Sequence, residues 1–243
     1  LDKIQSLSRS LNNYRWLYHF HFRKYIVVNI PSSELYYYEN DSLCLSMKVI
    51  VGKRSTKTPR FATFCDQVVL FPYWNVPRSI AVKEILPLCK KNAAVLEEMK
   101  MQVINEKGEI VDPQKLNWAI FTKRNFPYRF RQSTGCDNSL GVIKFNLTSP
   151  YSVYLHDTNA KRLFEAENRY LSHGCIRIEK PVDLANRLLE EQLDEAHLKA
   201  GIQGQTPVTK QIIQPVPVFV LYMTADLNSF NEICYYPDVY NLF

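Results

Sequence analysis

The sequence predicts an α+β domain, mainly β, with one partly helical insertion. Three observations carry the prediction. Runs rich in β-branched and aromatic residues, bounded by turn residues, recur up to position 71 and again from 140. Between them, at about 76–135, the pattern changes toward helix. Strand runs on both sides imply one sheet system interrupted by an excursion, not two domains in series. Finally, 46% of the 243 residues are hydrophobic, enough for a sizeable core.

Residues 7–23 read as a helix, because Leu7, Leu11, Tyr14, Leu17 and Tyr18 recur at spacings of three and four and form one apolar stripe. This gives an N-terminal helical segment, 1–24, leading into a domain that spans 25–243. Tyr25 to Ile30 is a β-branched run stopped by Pro31. Glu34–Glu39 and Leu43–Val51 are strands joined by a hairpin turn at Asn40-Asp41-Ser42. Gln67–Phe71 continues the β pattern. Ser79–Asn92 and Ala93–Met101 read as two helices, with Pro87 kinking or splitting the first. Asn105–Gly108 is a turn, and Asp112-Pro113 begins an irregular piece. Leu140–Leu147 and Ser152–Asp157 return to strand. Lys180-Pro181-Val182-Asp183 opens a helix with Leu184, Leu188 and Leu189 on its inner face. Val216–Met223 is a buried strand. Insertions the size of 76–135 are either lids that shape a substrate site or structural elaborations, and pattern alone does not separate the two.

Charge and cysteine usage bound the function classes. There are 30 Lys and Arg against 24 Asp and Glu, a net of +6. So mild an excess reads as surface composition rather than as a demand for an acidic partner. The basic residues are scattered, not striped along one element, so no nucleic-acid partner is expected. No run approaches the ~18 uninterrupted apolar residues of a membrane helix. Leu1 to Ser10 lacks a signal-peptide layout and does not begin with Met, so the chain reads as a fragment or processed form of something longer. Six cysteines, at 44, 65, 89, 136, 175 and 234, show neither CxxC nor zinc-ribbon spacing. An even count in an exported protein invites disulfides, but a free Cys175 leaves an odd number, so at least one more must be free.

The strongest chemical signal is Ser172-His173-Gly174-Cys175-Ile176-Arg177, preceded by Tyr154-Leu155-His156-Asp157-Thr158. A cysteine becomes a strong nucleophile as its thiolate, and a nearby imidazole is the usual agent. Two histidines compete for that role. His173 lies two residues before the thiol, and such a pair can share a face of extended chain. His156 ends a strand and needs an orienting acceptor, such as a backbone carbonyl near Asp157, since the Asp157 carboxylate seldom reaches the preceding ring. A glycine at 174 lets the chain turn tightly and aim the N–H groups of Gly174 and Cys175 at a reacting oxygen. Thiolate attack on an amide gives a thioester. Water then gives hydrolysis and an amine gives transpeptidation, and a lid that excludes water favours the second. The competing readings are an inert buried thiol and a zinc site built from His156, His173, Cys175 and a fourth ligand.

These two blocks resemble the signature of the L,D-transpeptidases, cysteine enzymes of bacterial peptidoglycan. Phe71-Pro72-Tyr73-Trp74-Asn75-Val76-Pro77, Asn125-Phe126-Pro127-Tyr128-Arg129-Phe130-Arg131-Gln132 and Leu140-Gly141-Val142-Ile143-Lys144-Phe145 are similar to the large periplasmic form of that family. The resemblance covers roughly 14–243. It implies a β-sandwich-like catalytic domain with 76–135 as an inserted substrate-capping subdomain. It implies Cys175 as nucleophile, His156 as general base and acid, and His173 and Gly174 in the oxyanion region. The implied reaction cleaves the meso-diaminopimelate–D-alanine bond of a tetrapeptide donor stem. The acyl group is held as a thioester and passed to the side-chain amine of an acceptor stem, giving a 3→3 cross-link in cell-wall biogenesis. Relatives instead release D-alanine with water or attach a lipoprotein.

No metal or organic cofactor is implied, and the expected state is a monomer in the periplasm or cell envelope. Three substrate-binding residues follow from the same blocks. Arg177 would bind a stem carboxylate through its fork, with a structural ion pair as the alternative. Tyr154 shares a strand face with His156. Trp74 opens the insertion and either walls the pocket or packs in the core. Larger family members also carry a peptidoglycan-binding module and further N-terminal sequence, again consistent with a fragment. A papain-like hydrolase is disfavoured by residue order, because His156 precedes Cys175 and the one later histidine, His197, lies in a polar helical segment. The non-enzyme alternative is a wall-binding protein with a dead site, which an inert thiol would support.

Overall fold

The computed structural model describes residues 2–135, 137–200, 205–228 and 232–243. The β-rich first third folds as its pattern suggests. β1 (Lys24–Asn29) and β2 (Glu34–Glu39) pair antiparallel, and β3 (Ser42–Gly52) follows through Asn40-Asp41. Both turn residues have positive φ, 50° and 59°, the conformation whose twist matches a two-residue hairpin and which Asn and Asp tolerate.

β4 (Phe61–Leu70) leads into the insertion, which holds β5 (Trp74–Asn75), β6 (Met101–Ile104), β7 (Ile110–Val111) and β8 (Arg129–Gln132). The chain then returns with β9 (Ile143–Leu147), β10 (Leu155–His156), β11 (Tyr170–Ser172), β12 (Ile176–Ile178) and β13 (Val208–Leu221). A small hairpin, β14 (Ala225–Leu227) with β15 (Ile233–Tyr235), follows.

The main sheet runs β11-β3-β12-β10-β9-β4-β13-β1-β2, and β2 also pairs with β3. β3 makes the corner. Its first part pairs with β2, while Val49 and Ile50 pair with β12. The sheet therefore folds back on itself and leaves little open edge. The inward faces of β1–β4, β9, β10, β12 and β13 share one core, joined by Val182, Leu184, Ala185 and Leu188 from the helix Pro181–Leu189. The class is α+β, mainly β, in agreement with the sequence pattern.

The insertion differs from its expected helical character. β5-β8-β6-β7 form a four-stranded sheet, and Val76, Ile85, Leu96, Val103, Trp118, Phe126 and Phe130 belong to a second core of its own. Pro87 does not split the helical run 78–91. A π-helical turn at Ala81–Ile85, closed by Leu86 N–H to Ala81 O, precedes it. That wider turn accommodates a residue that lacks a donor and whose ring crowds the preceding turn. The second expected helix shrinks to Val95–Glu98, and Met101 instead begins β6.

The N-terminal helix spans Asp2–His19 rather than 7–23. Leu11 and Tyr18 of its expected stripe are exposed, whereas Ser10 and Leu17 are buried. The reason is a partly polar docking surface. Ser10 donates to Ala225 O at 2.5 Å and Tyr14 to the Asp226 carboxylate, while Leu17 packs with Val27, Phe219 and Met223.

Further strand bounds shift. β4 and β13 begin earlier than expected because they pair with each other through polar residues such as Thr63 and Gln211. β9 starts at Ile143 because Leu140-Gly141 turns, and only Leu155 and His156 of 152–157 enter the ladder. Among the described residues, no helix is long and apolar enough to cross a membrane. Cys44, Cys65, Cys89, Cys175 and Cys234 are free thiols, and Cys136 lies outside the described residues.

Candidate active site

Strand alternation builds the site. β10 and β12 are parallel neighbours, with Leu155 opposite Ile176 and His156 opposite Arg177. Leu155, Ile176 and Ile178 point into the core and are fully buried. Tyr154, His156, Cys175 and Arg177 therefore take the opposite face. The insertion supplies a facing wall. Trp74, Ile80, Ile85, Leu88 and Met99 line the same cleft of about 440 Å³ as those four residues and His173. A larger depression of about 760 Å³ between Arg54 and Tyr236 contains neither cysteine nor histidine.

The turn before Cys175 is held from several sides. Gly174 has φ +116°, a conformation strained for any side chain. Ser172 Oγ donates to Cys175 O at 2.5 Å and accepts the Gly174 N–H at 3.1 Å. Thr58 Oγ1 donates to Gly174 O at 2.8 Å. The Gly174 amide is thus engaged within the turn, whereas the Cys175 amide has no acceptor among the described residues. Sequence reasoning paired these two amides; the hydroxyl of Ser172 separates them.

The Cys175 thiol is half-buried and donates to Ser152 O at 3.6 Å. Burial pushes it up, while the backbone N–H and the hydroxyl of Tyr154, and the charges of Lys144 and Arg177, act in the opposite direction. His156 is buried, with Nδ1 2.5 Å from the backbone carbonyl of Asp157. That contact places the proton on Nδ1 and leaves Nε2 as a lone pair. Burial, reinforced by Arg177, lowers its pKa to about 3, so the ring is neutral at neutral pH. His156 makes no hydrogen bond to Cys175 here. It lies beside Arg177 in the ladder and diagonal to the thiol, with the Tyr154 ring edge-on at 5.5 Å.

The Asp157 carboxylate faces away from the imidazole. It accepts the Val142 N–H at 2.9 Å and pairs with Lys161 at 2.6 Å. Gly141 passes so close that an added Cβ would lie 2.2 Å from Asp157 Oδ2, and its φ is +58°. Gly141→Ala is therefore expected to destabilise the protein by about 1–3 kcal/mol. A thermal melt checks this, and an unchanged midpoint would contradict it.

His173 is not beside the thiol in the way an extended i, i+2 pair would be. The turn at Gly174 sends its ring to the rim, where Nε2 meets Glu84 Oε1 of the insertion at 2.8 Å. Among the described residues, no cluster of three or more His, Cys, Asp and Glu side chains is placed to hold a metal ion. Arg177 lines the cleft with its Nε buried and unpartnered, and no carboxylate among the described residues pairs with it. The structural ion pair is thus not formed. Trp74 serves both of its expected places, lining the cleft and packing against the insertion's core.

Sequence reasoning missed Lys144 and Glu84. Lys144 stands opposite His156 on β9. The signal was its position between inward Ile143 and Phe145, which sends a charge to the face that carries His156. Glu84 carried no local signal, since its partner is 89 residues away.

A thiol and a buried neutral imidazole on one face of a mainly β sheet, under a wall from an inserted unit, define a thiol–imidazole cleft. The family follows from comparison. A family model for the L,D-transpeptidase catalytic domain (YkuD) matches residues 23–213, and the chain belongs to that family. A Haemophilus influenzae protein provisionally named an L,D-transpeptidase is 37% identical over 220 residues, covering 90% of this chain and 44% of that protein. The chain thus spans less than half the length of this relative.

Among solved structures, the Enterococcus faecium L,D-transpeptidase catalytic domain acylated by ertapenem is 14% identical. The match covers 76% of this chain and 95% of that one, with a TM-score of 0.37. L,D-transpeptidase 3 from Mycobacterium tuberculosis is also 14% identical, with 82% and 61% covered and a TM-score of 0.37. Neither likeness bears on individual residues.

Proposed function

We propose that this chain is the catalytic portion of a peptidoglycan L,D-transpeptidase of the periplasm or cell envelope, with Cys175 as nucleophile and His156 as general base. The observation that supports the reading is a thiol and a buried imidazole on one face of adjoining strands, with the Cys175 amide unengaged among the described residues. The thiol rotates from Ser152 O toward His156 Nε2 and gives up its proton there. The sulfur attacks the meso-diaminopimelate carbonyl of a tetrapeptide donor, and the Cys175 N–H takes the oxyanion. Gly174 supplies the turn rather than a donor, because Ser172 holds its amide. His173, paired with Glu84, belongs to the rim. His156 returns the proton to the departing D-alanine amine, leaving a thioester.

An acceptor stem amine then attacks, its proton passes through His156, and the thiol leaves with a 3→3 cross-link formed. Three residues would hold the donor. Arg177, unpaired in the cleft, takes a stem carboxylate, and Tyr154 and Trp74 wall the chain. The insertion, 76–135, acts as a cap. Its apolar wall of Ile80, Ile85, Leu88 and Met99 disfavours water and so supports transfer to an amine over hydrolysis or stem trimming. The chemistry is carried by a thiol and an imidazole without a cofactor, and the protein works as a monomer. Intact-mass measurement with a tetrapeptide donor or a carbapenem tests the nucleophile. A covalent adduct on the wild type and none on Cys175→Ala is expected. No adduct, or an equal adduct on both, contradicts the reading.

A further inference from the structure

Lys144 is a charged residue next to the reaction centre that the mechanism above does not use. It is half-buried as the second residue of β9, between the fully buried Ile143 and Phe145. The ladder sets it directly opposite His156, and Arg177 stands opposite His156 on the other side. Three adjacent strands therefore carry cation, neutral imidazole and cation in one row. Two half-buried cations flanking one buried imidazole are costly unless a negative charge compensates them. Among the described residues, neither Lys144 nor Arg177 has a carboxylate partner. The Lys144 Nζ instead lies 4.5 Å from the centroid of the Tyr154 ring. The hydroxyl of that ring favours the ionised form of Cys175, and the thiol in turn pushes the phenol up.

The groups facing Cys175 can be taken element by element. β10 presents neutral His156 and the residue just before it, Tyr154, while β9 presents Lys144 and β12 presents Arg177. The insertion presents Glu84 at the rim, already paired with His173. Two of these groups can become anions near the cations, and the thiol is the more acidic, because burial pushes the Tyr154 phenol further up.

We propose that Lys144 is a charge-setting and positioning residue of this site: acting through the Tyr154 ring and together with Arg177, it stabilises the thiolate of Cys175, so that His156 carries protons without serving as the permanent counter-ion. A cation on the face of a phenol ring is attracted to it and makes its hydroxyl a stronger donor. That hydroxyl in turn favours the thiolate of Cys175. Burial lowers the affinity of Lys144 for its proton, and the thiol opposes that effect.

The inference rests on Cys175 being the reactive thiol, and its test needs no substrate. The rate of alkylation of Cys175 by iodoacetamide is followed against pH on the whole chain, with peptide mass mapping to separate Cys175 from the other cysteines. Lys144→Met is expected to raise the apparent pKa of the thiol by about one unit, so that roughly tenfold less thiolate is present below it. Lys144→Arg should restore most of the loss. Tyr154→Phe, which keeps the ring and removes the hydroxyl, should shift the profile in the same direction as Lys144→Met. In turnover, Lys144→Met should lower kcat and leave KM for the donor stem unchanged.

A wild-type alkylation profile in Lys144→Met overturns the proposal, as does Lys144→Arg being as impaired as Lys144→Met. Should Lys144→Met fail to fold, Lys144→Gln and Tyr154→Phe decide, and unchanged profiles in both overturn it. Loss of donor acylation with the shifts intact would instead count against the transferase reading and leave this inference standing.

Discussion

Cys175→Ala is expected to lose turnover of a tetrapeptide donor by about a millionfold, the scale on which covalent enzymes lose rate when their nucleophile is removed. The cleft itself should survive. Ser172 bonds the backbone of residues 174 and 175, not the thiol, and Thr58 bonds Gly174 O. The variant should therefore still bind the donor, through Arg177 and the walls formed by Tyr154 and Trp74. Single-turnover kinetics and equilibrium binding together check this. A variant that keeps its rate would contradict the nucleophile. One that loses binding along with rate would show that the thiol holds the cleft open.

His156→Gln is expected to slow acylation by about 10²–10⁴-fold, and His173→Ala by much less. The difference follows from placement. His156 is buried, fixed by Asp157 O and shares the sheet face of the thiol, whereas His173 is spent on Glu84 at the rim. The reverse order of single-turnover rates would exchange the two roles.

The same imidazole also gives a stability prediction. Its pKa is about 3 in the fold, against about 6.5 for a free histidine. Between those values the unfolded chain binds a proton that the folded chain does not. Stability therefore falls as pH drops below about 6.5, with this one group contributing up to about 1.4 kcal/mol per pH unit. His156→Gln should flatten that limb in urea titrations at pH 4 to 7. An equal slope in both proteins would show that His156 is not held neutral.

The parts of the fold that were legible in sequence are those whose signals are local. The β2–β3 hairpin shows alternation and an Asn-Asp turn within one short window. The site strands were legible for the same reason, since Tyr154 with His156 and Cys175 with Arg177 each follow an i, i+2 step. The sheet of the insertion was hidden. Met101–Ile104 follows Glu97-Glu98-Met99-Lys100, good helix formers, and becomes a strand through pairing with Arg129–Gln132. Arg129-Phe130-Arg131-Gln132 offers a single apolar anchor, Phe130, to mark its inner face. Lys144 and Glu84 were missed as site residues because their roles depend on neighbours brought together by ladder register and by the insertion's position.

With Cys175 as the proposed nucleophile, its thioester is passed to an amine. The mass of the product from a defined disaccharide-tetrapeptide tests it most directly. A cross-linked dimer, formed with release of one D-alanine per bond, is expected from the wild type and none from Cys175→Ala. Free D-alanine with monomeric tripeptide alone would contradict transfer and assign the chain to hydrolysis. No release of D-alanine at all would contradict acyl chemistry at Cys175.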